Sequence, residues 1–267
     1  MSKYKFTIIT VCYNAEKFIE KTIKSVLKQT YEEFEYIIKD GNSTDETMRV
    51  VCGLAGKNNR VKLIQGKDSG IYDAMNVAVK EASGEYILFL NAGDILYADT
   101  ILEELSREIC SPDIGIYYGN IVQIEGQGNE IVRTERIYDK NSIKKVQYAI
   151  GRCLCHQAMF SKRNLFEQKM FDLKYQVCAD REWQLYHLTN GCKAKYLPIT
   201  VSEVLVEGYS KSHVSELEEE VKQCVYMYCK EYAWVYNIIM LLKRNRLISL
   251  GLKKVDSLSK EKKEKYE

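Results

Sequence analysis

Gly84-Glu85-Tyr86-Ile87-Leu88-Phe89-Leu90-Asn91-Ala92-Gly93-Asp94 is the stretch on which the fold turns. Tyr86 to Leu90 carries no charge and does not alternate, which is how a strand buried on both faces of a parallel sheet reads. Gly84 closes the segment before it. Working back from there, Ile71 to Ala82 has helical spacing, with Asp68 or Ser69 available to cap it. Val61 to Ile64 is a short strand. Met48, Val50, Val51 and Leu54 mark a helix that Asn42-Ser43-Thr44-Asp45 can cap, and Phe34 to Lys39 is a strand ending at Asp40-Gly41. Ala15 to Gln29 places Phe18, Ile19, Thr22, Ile23, Val26 and Leu27 on a helix, after the β-branched strand Phe6 to Val11. Strand and helix alternate with short connections, which predicts an α/β fold with a parallel sheet covered by helices.

Beyond this, Ile114–Ile124 and Glu130–Ile137 alternate as strands do, with a turn over Glu125 to Asn129. Residues 139–178 carry mixed signals. Ala179 to Leu188 reads as a helix and Lys195 to Val206 as one or two strands. From Val214 the apolar positions Leu217, Val221, Val225, Tyr228, Tyr232, Val235, Ile239 and Leu242 predict a long amphipathic helix with an interruption.

Composition narrows the function. The chain has 267 residues, 46% hydrophobic and 28% charged, so global disorder is excluded. Its 39 Lys and Arg against 37 Asp and Glu give no global reason to bind nucleic acid. The longest apolar run near the C-terminus, Ile238 to Leu242, is far short of the roughly 20 residues of a spanning helix. No small-residue cleavage site follows the run Phe6 to Cys12, and the nine cysteines are odd in number with no C-x-x-C pair. Both features predict reduced thiols in a cytoplasmic protein. Cys153-Leu154-Cys155-His156 invites a zinc site, but such close neighbours do not readily share one tetrahedral ion.

Ligands of an open parallel sheet bind beyond the carboxyl ends of its strands. Those ends carry Cys12-Tyr13-Asn14, Asp40-Gly41-Asn42-Ser43, Lys67-Asp68-Ser69-Gly70 and Asn91-Ala92-Gly93-Asp94. Carboxylates beside an aromatic ring suit a divalent cation, a ribose and a base. Neither G-x-x-x-x-G-K-[ST] nor G-x-G-x-x-G is present, which disfavours a P-loop enzyme or a dinucleotide-binding dehydrogenase. A diphosphate bound without either cradle calls for Mg²⁺ or Mn²⁺, with Asp94 the first ligand to consider.

Ile8-Ile9-Thr10-Val11-Cys12-Tyr13-Asn14, Lys39-Asp40-Gly41-Asn42-Ser43-Thr44-Asp45, Asp68-Ser69-Gly70-Ile71-Tyr72-Asp73-Ala74-Met75-Asn76 and the stretch from Gly84 to Asp94 together resemble family 2 glycosyltransferases. The third resembles a subgroup from bacterial O-antigen and capsule clusters. A weaker likeness runs through His156-Gln157-Ala158-Met159-Phe160 and Ala179-Asp180-Arg181-Glu182-Trp183. The resemblance implies a GT-A fold with a catalytic domain over 1–210 (nucleotide half to about 110, acceptor half 111–210), and the apolar spacing beyond it predicts a C-terminal helical extension over 211–267.

The resemblance also implies inverting transfer of a sugar from a nucleotide-diphosphate donor, here a UDP-sugar, to a saccharide acceptor. It places Val11 (through its backbone), Tyr13, Asn14, Asp40 and Asp68 around the donor nucleotide and the metal on Asp94. Asn91 and Gly93 stand where many relatives carry aspartates, and Met75 where many carry arginine. Asp180 is the expected base, at a helix start, with Glu182 the alternative. His156 and Glu182 are further candidates for acceptor or diphosphate contacts. A non-catalytic nucleotide-sugar-binding subunit and a nucleotidyltransferase are the rival readings; the latter would normally show a glycine-rich basic loop absent from residues 12–20.

If the acceptor is lipid-linked, the enzyme works at the inner face of the cell membrane as a peripheral protein. Trp234 to Arg246 has the aromatic, aliphatic and cationic parts for surface contact. The same apolar run could instead pack on the catalytic domain or on a second copy, as a homodimer.

Overall fold

A computed structural model describes residues 4–127, 130–206 and 212–243. At its centre β1 (Phe6–Cys12) lies between β2 (Phe34–Asp40) and β4 (Tyr86–Phe89), parallel to both. Every residue of these strands is buried, which is why their sequences do not alternate. The two faces still sort by parity. Phe6, Ile8, Phe34, Tyr36 and Ile38 join one core with α1 (Ile19–Leu27), α2 (Thr47–Ala55) and α4 (Ile101–Glu108), while Ile9, Val11 and Ile37 join the other with α3 (Ile71–Lys80) and α7 (Ala179–Thr189).

The sheet runs β3-β2-β1-β4-β8-β6-β9-β5, where β3 is Val61–Gln65, β5 Ile95–Leu96, β6 Ile116–Gln127, β8 Met159–Lys162 and β9 Ala194–Leu205; β7 (Glu130–Arg136) pairs with β6. The expected parallel pairing holds over β3-β2-β1-β4. Beyond β4 the sheet is mixed, because β8 runs antiparallel to both β4 and β6. The hairpin sits where the alternation places it. Its strands pair through Gln127 and Glu130, so Glu125 and Gly126 belong to the ladder rather than the turn.

Residues 139–178, unreadable from periodicity, form short pieces: α5 (Lys145–Ala149), a 3₁₀ turn at His156–Ala158, β8 and α6 (Arg163–Gln168). α7 is buried around most of its circumference, with Trp183 stacked on Phe166 at 4.4 Å. The expected long C-terminal helix is interrupted: α8 (Val214–Tyr228) gives way to a 3₁₀ turn at Lys230–Tyr232, and residues 233–243 are helical again. Gly84 owes its identity to packing. A Cβ there would lie 2.6 Å from Thr7 N and 2.7 Å from Phe6 C, so only glycine lets this turn press against β1. No helix among the described residues is long and apolar enough to cross a membrane.

Candidate active site

Strand register builds the site. Cys12 lies opposite Asp40, and Asp40 opposite Gln65, so the segments after β1, β2 and β3 leave the sheet side by side. They wall a cleft of about 680 Å³ that includes Val11, Tyr13, Asp68 and Tyr72, faced across the opening by Leu173, Tyr175 and Gln176. Tyr13 is 64% exposed, so its ring face is available on the wall. Gly41 closes the approach: a Cβ there would stand 3.3 Å from Asp68 Oδ2 and 3.4 Å from the Tyr13 ring.

Asp40 and Asn14, expected at the nucleotide, do not line this cleft. Asp40 is fully buried; its Oδ2 accepts from the Ser43 N–H at 3.0 Å and its Oδ1 from the Ser43 hydroxyl. Asn14 has φ +48°, donates its N–H to Ser43 Oγ, and accepts from the Thr44 N–H at 2.9 Å. The two residues clip the loops after β1 and β2 together. Asp68 is held by a residue the sequence reading passed over. Lys39 Nζ, buried among the strands, donates to Asp68 Oδ2 at 2.7 Å, Gly66 O at 2.7 Å and Asp40 O at 3.0 Å. A lysine inside an otherwise buried strand is itself a signal, since it needs acceptors wherever it ends.

Asp180, in the first turn of α7, is brought to the cleft by Tyr72. The Tyr72 hydroxyl lies 3.0 Å from Asp180 Oδ1 and 3.0 Å from Val177 O. His156 Nδ1 lies 2.9 Å from Asp180 Oδ2, and its Nε2 3.1 Å from Asn91 Nδ2. With Nδ1 donating to the carboxylate, Nε2 accepts from the Asn91 amide. Burial pushes the Asp180 carboxyl up, but the hydrogen bond from His156, then that from the Tyr72 hydroxyl, hold it below the usual carboxylate range.

The structure thus joins Tyr72, Asn91, His156 and Asp180, drawn from separate stretches of the chain. Residues 7–167 match Glycosyl transferase family 2. The chain belongs to this family.

A relative from Mycobacterium bovis, a PGL/p-HBAD biosynthesis glycosyltransferase, is 29% identical over 76% of this chain and 77% of its own length. A second, from Escherichia coli, a UDP-Glc:alpha-D-GlcNAc-diphosphoundecaprenol beta-1,3-glucosyltransferase, is 38% identical over 45% of this chain and 47% of its own. Among solved structures, S. aureus TarS 1–349 in complex with UDP superposes with a TM-score of 0.63 at 21% identity, over 84% of this chain. This chain spans 65% of that one. The mannosyltransferase PcManGT from Pyrobaculum calidifontis, in complex with GDP-Man and Mn²⁺, gives 0.64 at 19%, over 85% of this chain and 64% of its own. At these identities the likeness is one of fold.

In this family 2 glycosyltransferase the expected metal ligand is turned inward. Asp94 is 3% exposed; its Oδ1 accepts from the Leu205 N–H and its Oδ2 from Gln157 Nε2, each at 3.0 Å. Burial raises its pKa to about 6. Among the described residues no three His, Cys, Asp or Glu side chains gather closely enough to cage an ion. The same turn offers another oxygen: Asn91 Oδ1 is buried without a hydrogen-bond partner, and the Asp94 N–H bonds the Asn91 carbonyl. One or two protein oxygens fit a Mg²⁺ or Mn²⁺ that draws its remaining ligands from a diphosphate and water.

Glu182 goes elsewhere. It is 1% exposed, bonded to the Tyr228 hydroxyl of α8 and 3.3 Å from Lys169 Nζ, facing the helical packing rather than the cleft. α8 reaches the site through Glu220, which nothing in the sequence marked. Its carboxylate accepts the N–H groups of Gln176, Val177 and Cys178 at 2.7, 2.9 and 2.9 Å, fixing the loop that delivers Asp180.

Proposed function

We propose that this glycosyltransferase moves a hexosyl or N-acetylhexosaminyl group from a UDP-sugar, with inversion, to a saccharide acceptor carried on a lipid. The setting is cell-surface polysaccharide or glycolipid synthesis at the inner face of the membrane. The observation that carries the reading is Tyr72, which lines the cleft and touches Asp180, so that a donor in the cleft ends beside a carboxylate. The UDP bound by TarS and the UDP-Glc and diphosphoundecaprenol in the name of the Escherichia coli relative support the choice of donor and acceptor.

In this reading residues up to about 110 hold the nucleotide, with Tyr13 against the base and Val11 and Asp68 beside it. Residues 111–210 hold the acceptor, and those from 211 form the extension. Asp180 takes the acceptor hydroxyl's proton while that oxygen attacks the anomeric carbon from the face opposite the diphosphate. The bond to the diphosphate oxygen breaks as the new glycosidic bond forms, through an oxocarbenium-like state. His156 and Tyr72 orient the carboxylate, and His156 stands next to Asn91 at the diphosphate end. A divalent cation held by Asn91 Oδ1 and Asp94 would supply positive charge to the departing diphosphate.

The test is a screen of nucleotide sugars for protection against thermal unfolding, followed by donor-hydrolysis and transfer assays. A UDP-sugar that raises the midpoint and is turned over meets the expectation. Protection without turnover would favour the non-catalytic subunit, and protection by no nucleotide sugar would overturn the donor reading.

A further inference from the structure

Residues 233–243 present two different faces. Ala233, Tyr236 and Met240 pack on the core, and the Tyr236 hydroxyl donates to Glu218 O at 3.1 Å. On the other side Trp234, Ile238, Leu241 and Leu242 are 63%, 48%, 59% and 62% exposed. At 3.6 residues per turn these four fall within an arc of about 100°. Tyr226 and Met227 of α8 are also exposed, and the Tyr226 hydroxyl reaches Asn237 Oδ1 at 3.0 Å, so the apolar surface continues onto α8. The helix therefore does pack on the body of the protein, and it does so without covering its outer face.

The charge of the chain is concentrated just past this face. Residues 243–267 hold nine Lys or Arg and four Asp or Glu, whereas residues 1–242 hold 30 against 33. A nearly neutral protein is thus a slightly acidic body joined to a basic end. An exposed apolar stripe leading into a cationic segment is complementary to an anionic lipid surface, where aliphatic side chains enter the acyl boundary and cations meet headgroups.

We infer that Trp234, Ile238, Leu241 and Leu242 form a docking face for an anionic lipid surface, reinforced by the cations from Lys243 onward. The inference extends the lipid-acceptor reading above, but flotation scores the surface without any sugar transfer, so either can fail alone.

The experiment uses the full chain with vesicles of phosphatidylcholine alone and of equal parts phosphatidylcholine and phosphatidylglycerol. The parent should float with the anionic vesicles and remain behind with the neutral ones, less so at high salt. Of the two tryptophans, Trp183 is fully buried and Trp234 exposed, so a blue shift on adding anionic vesicles reports Trp234 entering lipid. Leu241→Asp with Leu242→Asp should lower the floating fraction roughly tenfold while leaving the thermal midpoint in place. A parent that neither floats nor shifts its fluorescence overturns the inference, as does an aspartate pair that floats like the parent. A dimer that the pair dissolves, with no flotation by either protein, overturns it in favour of a contact between copies.

Discussion

His156 Nδ1 sits 2.9 Å from Asp180 Oδ2, joining a 3₁₀ turn before β8 to the first turn of α7. The pair is only partly buried, each side chain 15% exposed, and Tyr72, which lines the cleft, joins it to that wall. His156 is anchored on its far side by Asn91, and Asp180 on its far side by Tyr72. A carboxylate held between two donors keeps a fixed direction and its negative charge, as a base aimed at one hydroxyl requires.

Asp180→Asn should lower the transfer rate by about two orders of magnitude or more, because an amide accepts no proton, while UDP-sugar affinity stays within a few fold. Steady-state rates with calorimetric donor binding check this. Glu182→Gln should instead lower stability through its contacts with Tyr228 and Lys169; turnover lost at Glu182 and kept at Asp180 would move the base.

Glu220→Ala removes the acceptor of three backbone N–H groups in the loop before Asp180. The expected result is a fall in kcat with little change in the donor KM, and partial recovery in Glu220→Gln, whose carbonyl still accepts. A change confined to the unfolding midpoint would reduce the residue to a structural tie.

Lys39→Met leaves the Asp68 carboxylate, 8% exposed, without its counter-charge. Breaking such a pair costs about 3 to 5 kcal/mol, measurable as a lower urea midpoint. Asp68→Asn added to Lys39→Met should recover part of that loss.

Asp94→Ala should destabilise the protein by about 2 kcal/mol or more, since the Leu205 N–H and the Gln157 amide lose their acceptor. Asn91→Ala should leave stability closer to the parent and remove the gain in UDP affinity on adding Mn²⁺. Equal UDP affinity of the parent with Mn²⁺ and with EDTA would sink the metal reading.

His187 is 2% exposed, lies tilted with its ring centre 4.3 Å from that of Trp183, and has an unpartnered Nε2. Burial, then the charge of Lys169, pushes its pKa from 6.5 down to about 4. The unfolded chain therefore binds the extra proton first. The stability is fully present above pH 6.5 and is lost as pH falls toward 4, by up to about 3 kcal/mol. Asp94, raised to about 6, titrates with the opposite sign, so the quantity to read is the difference between the parent and His187→Phe across that range.

Periodicity located β1 to β4 and the helices between them to within a few residues, because strands buried on both faces and helices packed on one carry strong local patterns. It did not locate α5, α6 or β8, which are too short to show a period and are placed by what packs on them. Of the residues expected around the donor, Tyr13 and Asp68 do line the cleft. Strand-end carboxylates also serve their own surroundings, Asp40 with Ser43 and Asp94 with Leu205 and Gln157. A strand-end aspartate has the same sequence signature whether its oxygens face a ligand or a backbone N–H.

By itself, then, the sequence determined the α/β alternation, the sheet edge at which the cleft opens, and the likeness to the family. The first two are consequences of local hydrophobic period and of turn residues at fixed spacing, and the third of motifs that resemble those of the family. Only the tertiary structure decided that Lys39 reaches Asp68, that Glu182 turns toward α8, and that Tyr72, His156 and Asn91 converge around Asp180. These partners are between 24 and 108 residues apart where the structure pairs them with Asp180, and which oxygen meets which donor depends on how sheet, 3₁₀ turn and helix pack against one another rather than on any local pattern.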